Sequence, residues 1–116
     1  MSLSQRNCIP CKGGVPPLVE VEKLKLLREL NDHWILVESG KKLYREIQFS
    51  DFSQPMALAN QIALLADEQW HHPELEISFG RLRIKMWTHK INDLVESDFI
   101  FASKMDVLID NFSIRS

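Results

Sequence analysis

The sequence is poor in the residues that define several protein classes. It holds 2 cysteines, 4 glycines and 1 tyrosine in 116 residues. Two cysteines are too few for the framework of a small disulfide-stapled domain. No apolar run approaches the roughly 18–20 residues that a spanning helix needs, so no membrane segment is expected. Met1-Ser2-Leu3-Ser4-Gln5-Arg6-Asn7 lacks the apolar core of a secretory signal. A basic excess is missing too: Lys+Arg 14 against Asp+Glu 16 gives a net charge of -2, which speaks against direct nucleic-acid binding. What is left is the expectation of a cytoplasmic chain, with 45% hydrophobic and 26% charged residues, ordinary for one domain.

Residues 1–19 contain Pro10, Gly13, Gly14, Pro16 and Pro17 and read as an N-terminal arm, followed by a single domain over 20–116. Val21, Leu24, Leu27 and Leu30 recur at helical spacing, and Asn31-Asp32 ends that helix. Trp34 to Glu38 is a short β-prone run. Ser39-Gly40-Lys41-Lys42 then turns the chain into Leu43–Phe49, where Leu43, Ile47 and Phe49 alternate with Tyr44, Glu46 and Gln48. Asp51 or Ser53 caps a helix from about Gln54 to Gln69. That helix carries two stripes, Leu58-Ile62-Leu65 and Met56-Ala59-Ala63-Ala66, which points to burial on two sides, one against a partner subunit.

Leu75, Ile77 and Phe79 alternate with charged and polar neighbours, as do Leu82, Ile84 and Met86 beyond Gly80, giving a second hairpin. Leu94, Phe101, Ala102, Met105, Leu108 and Ile109 mark a last helix. Phe99 and Ile100 fall off its stripe and read as interface residues. The element order α-β-β-α-β-β-α predicts an α+β fold: a four-stranded antiparallel sheet with three helices on one face.

Chemistry concentrates in Asp67, His71, His72 and Pro73, with His89 and Asp98 following. Asp67 and His71 stand four apart, so a helix reaching His71 lets the carboxylate orient the imidazole. Pro73 forces His72 to be extended. Three readings compete. The histidines cap a polar helix end, ligate zinc or iron, or carry out metal-free acid–base chemistry near neutral pH. Trp70 and Trp87 flank the histidines as candidate pocket walls. Phe79 reads as core by parity, with stacking beneath a ligand as the lesser reading. Cys8 and Cys11 form a lone C-x-x-C without a second pair, and His33 reads as a surface histidine.

The spaced set Asp67-x3-His71-His72-Pro73-x5-Phe79-x9-His89-x8-Asp98 resembles the signature of the pterin-4a-carbinolamine dehydratases, also called dimerisation cofactors of a homeodomain factor. Cys8 to Leu18 and Trp87-Thr88-His89-Lys90-Ile91 resemble the microbial branch, and the likeness spans the whole chain. It implies a lyase that dehydrates 4a-hydroxytetrahydrobiopterin to quinonoid dihydrobiopterin, recycling the pterin of aromatic amino acid hydroxylases, with no metal or organic cofactor. By position, His71, His72 and His89 line the pocket: His72 or His89 as acid to the 4a-hydroxyl, His71 as base or anchor. Asp67 orients a histidine, and Asp98 binds the ring or tunes an imidazole. The resemblance also implies a homodimer or homotetramer. Its alternative is a non-catalytic interaction module. Two departures stand out: Val95 replaces the usual Ser/Thr helix cap, and Asp93 replaces the Gly before Leu94, which suits the loop poorly if that position needs a positive φ.

Overall fold

The alternating segments become a sheet of order β1-β2-β4-β3, antiparallel throughout. The structure is a computed structural model that describes residues 3–5 and 16–112. Cys8, Cys11 and most of the arm fall outside these. A 3-10 turn at Leu3–Gln5 precedes α1 (Glu20–Leu27), β1 (Ile35–Val37), β2 (Lys42–Gln48), α2 (Ser53–Gln69), β3 (Glu74–Ser78), β4 (Arg81–Met86) and α3 (Glu96–Asn111). This is the α+β order expected from the sequence.

Register follows from the two-residue period of a strand. Leu43 pairs with Met86, Arg45 with Ile84 and Ile47 with Leu82. Their side chains face α2 and α3, while Tyr44, Glu46, Arg83 and Lys85 face away. Leu58 and Ile62 of α2 and Phe101 and Met105 of α3 fill the layer between helices and sheet and are fully buried. Each large apolar side chain so buried contributes roughly 1.5–3 kcal/mol. Leu26 and Leu27 of α1 join the margin of this core.

Arg45 is the exception on that inner face. It is buried at 6% exposure, with Nη1 donating to Asp106 Oδ1 on α3 at 2.6 Å. Trp34 Nε1 donates to the same oxygen at 2.7 Å, and Asn31 N to Oδ2 at 2.9 Å. One carboxylate thus ties the connection after α1, β2 and α3 together. Burial pushes the Asp106 carboxyl up from its usual value, against the pull of these three donors.

Four expectations need correcting. On α1 the stripe is misplaced: the helix ends at Leu27, Val21 and Leu24 are exposed, and Lys23 is buried instead. A buried ion pair, described below, decides the orientation of this short helix. On α2 the second stripe splits, with Ala59 and Ala66 in the core and Met56 and Ala63 in solvent beside an exposed Leu64. On α3, Phe99 and Ile100 are core residues, because the Leu3–Gln5 turn packs on the far side of that helix. Leu3 is buried there, and Lys104 Nζ donates to Ser4 O at 2.8 Å. Phe79 is 74% exposed. The strand ends at Ser78, so Phe79 lies in the turn, where strand parity no longer applies.

Candidate functional site

The end of α2 explains why two adjacent histidines part company. Trp70 follows the helix in the left-handed region (φ 52, ψ 46), the position glycine usually takes at a helix end. Its N–H and that of His71 both return to the Ala66 carbonyl. The helix therefore stops before His71, and the expected pairing of Asp67 with His71 does not form. Instead His71 turns inward to 8% exposure, while His72 stays half-exposed and its Nε2 lies 3.0 Å from Asp67 Oδ1. Asp67 does hold a histidine, but the neighbouring one.

His71 is held by Asp98. Its Nε2 lies 2.7 Å from Asp98 Oδ1. The other oxygen accepts from Thr88 Oγ1 at 2.8 Å and from Val95 N at 2.9 Å. Asp98 is fully buried, and its contact toward the pocket is the His71 imidazole. A carboxylate that accepts the Nε2 proton leaves the lone pair of a neutral ring on Nδ1. The Val95 contact is half of a capping box: Asp98 serves the helix N-terminus, while Val95 has no side-chain acceptor to return the bond. Helix cap and imidazole partner are thus one side chain, Asp98.

His89 stands on the opposite wall, in the loop after β4. Its ring stacks on buried Trp87, with centroids 4.1 Å apart and planes at 17°. The Lys42 ammonium sits 4.0 Å from the Trp87 ring centroid. The loop closes through Thr88 N donating to Asp93 O at 2.9 Å. Its positive φ is at Asn92 (φ 50) and not at Asp93, so the Asp in place of Gly is not strained. Asp93 Oδ1 accepts from Leu94 N and from the Lys23 ammonium, each at 2.7 Å. Burial raises this carboxyl, but the Lys23 and Leu94 donors outweigh it and hold it below the usual aspartate value. Sequence reasoning missed Lys23, because a lysine between apolar positions reads as a solvated face.

Trp70, His71, His72, Pro73, Trp87, Thr88, His89 and Lys90 line one pocket of about 450 Å³. That volume lies within the range of small-molecule sites. All three predicted histidines and both tryptophans meet there, whereas Phe79 lies elsewhere and Asp67 and Asp98 stand behind the histidines. Among the described residues, no group of three or more His, Cys, Asp or Glu side chains is arranged to hold a metal ion. The sequence over residues 16–108 matches the family described as pterin 4 alpha carbinolamine dehydratase.

The chain belongs to the pterin 4 alpha carbinolamine dehydratase family. Membership places it among the hydro-lyases. A relative in Rickettsia bellii, provisionally named pterin-4-alpha-carbinolamine dehydratase, is 55% identical over 107 residues, covering 92% of this chain and 94% of its own length. One in Alkaliphilus metalliredigens with the same provisional name is 38% identical over 105 residues, covering 90% and 94%. A solved structure titled transcriptional coactivator/pterin dehydratase from Brucella melitensis superposes with a TM-score of 0.73 at 33% identity, covering 80% of this chain and 98% of that one. Among the described residues of this dehydratase-family chain, no helix is long and apolar enough to cross a membrane.

Proposed function

We propose that the chain dehydrates 4a-hydroxytetrahydrobiopterin to quinonoid dihydrobiopterin and water by histidine acid–base catalysis. The observation that carries this is the convergence of His71, His72 and His89 on one tryptophan-walled pocket, with His71 fixed by buried Asp98. The C4a–O bond breaks and its oxygen leaves as water after accepting a proton. The ring nitrogen beside C4a loses its proton as the new double bond forms. Two proton transfers suffice, and imidazoles near neutral pH supply both, so the step calls on no metal or organic cofactor. His71, with Nε2 committed to Asp98, is the base or anchor; His72 or His89 is the acid. Trp70 and Trp87 wall the pocket around the pterin rings. An aromatic amino acid hydroxylase is the class of enzyme that supplies such a carbinolamine.

The test is the decay of 4a-hydroxytetrahydropterin generated in situ by a hydroxylase. Wild type accelerates it, and a folded His71→Ala/His72→Ala variant does not. Single His72→Ala and His89→Ala variants identify the acid. Folded wild-type protein that leaves the decay rate unchanged would sink the reading.

A further inference from the structure

The acid–base machinery leaves a buried lysine unused. Lys23 on α1 is 8% exposed, far from where a lysine normally sits. Its Nζ donates to Gly40 O at 2.8 Å and to Asp93 Oδ1 at 2.7 Å. These two acceptors belong to the two segments that meet at Trp87. Gly40 lies in the β1–β2 turn, two residues before Lys42, whose ammonium rests over the Trp87 ring. Asp93 closes the loop that carries His89, whose ring stacks on the same indole. Within that loop, Ile91 N to Thr88 O and Asn92 N to His89 O are both long, at 3.3 Å. Beyond its closing Thr88 N to Asp93 O bond the loop's own hydrogen bonds are long, and the Asp93 side chain moors it to Lys23 of α1, which in turn holds the β1–β2 turn at Gly40.

We infer that Lys23 is a positioning residue for the pocket, fixing the distance between the β1–β2 turn and the Thr88–Asp93 loop so that His89 lies flat on Trp87. In its kinetic consequence this rests on the proposed dehydration; in its geometry it does not. Chains with the glycine that the family pattern carries before Leu94 have no side chain there to moor. In this chain the carboxylate at that position supplies the tether, and the buried lysine completes it.

The experiment uses full-length wild type, Lys23→Met, Lys23→Arg and Asp93→Asn, and reads the His89 ring protons by NMR alongside carbinolamine turnover. An imidazole stacked on an indole face feels its ring current, and its protons resonate upfield. Lys23→Met and Asp93→Asn are expected to move the His89 ring protons toward their unstacked positions, while Lys23→Arg restores much of the shift. Turnover falls about tenfold with them, within the roughly 10²-fold that a 1 Å misplacement costs. Folded variants with unmoved His89 resonances would overturn the inference, leaving Lys23 a merely stabilising ion pair. If Lys23→Met does not fold, Asp93→Asn decides alone, since it keeps the size and removes the charge. Because the ring shift is independent of turnover, a wild type without dehydratase activity still reports on the tether.

Discussion

Trp70 shows how one residue serves the site at a cost to the fold. A bulky side chain at φ 52 occupies a region that costs about 1–2 kcal/mol for residues other than glycine. It is 69% exposed, so packing offsets little of that cost. Its ring instead lines the pocket and meets the His72 ring edge-on at 5.4 Å. Trp70→Gly is therefore expected to raise the unfolding free energy by about 1 kcal/mol in a denaturant titration while weakening binding of a stable pterin in calorimetry. Stability unchanged or lowered would show that the left-handed turn is not strained. At this scale the sequence pointed to residues that meet in one pocket but not to which of them pair. His71, His72 and His89 were legible from their spacing. That Asp67 meets His72 was not, because it depends on the left-handed turn at Trp70 beyond the helix end.

Among the elements, the Arg45–Asp106 pair is the joint between β2 and α3. Removing one partner of a buried pair leaves an uncompensated charge, at a cost of about 3–5 kcal/mol, whereas replacing both by apolar groups recovers much of it. Asp106→Leu is expected to lose stability in that range by denaturant unfolding. Arg45→Met/Asp106→Leu should recover part of the loss, short of wild type because Trp34 Nε1 and Asn31 N lose their acceptor. A double variant no better than the single would refute the pairing argument. The strands and their buried face were readable from alternation, since Leu43, Ile47, Leu82 and Ile84 keep strict parity. The inward Arg45 was invisible there, because its partner lies 61 positions away. The orientation of α1 was hidden for the same reason: Lys23 finds Asp93 only in three dimensions.

Across the whole molecule, charge is balanced locally. On the open face of the sheet Arg83 bridges Glu46 and Glu76, and Glu38 takes both Lys42 and Lys85. The Lys85 and Lys42 contacts hold the Glu38 carboxyl low. Glu46 is likewise low, where burial raises it less than Arg83 and its other donors lower it. Asp93 makes a third. A carboxyl lowered in the folded state adds stability above its unfolded pKa, near 4, and that stability is lost as pH falls through the folded value. Asp106, raised, has the opposite sign: its contribution is present below the unfolded value and lost as pH rises through the folded one. The three lowered groups should dominate, so the melting temperature drops below about pH 4. Salt is expected to shrink the part owed to Glu38 and Glu46, which solvent already screens, and to spare the Asp93 part. An acid limb that salt abolishes entirely would contradict a sheltered Asp93.

The buried carboxylate of Asp98 has one more consequence, for how this molecule fails. The same two oxygens satisfy the first turn of α3, the Thr88 hydroxyl and the His71 ring. Displacing that side chain, as fraying of the turn would, releases the imidazole with it. Amide exchange at the start of α3 and thermal inactivation are therefore expected to share one opening reaction.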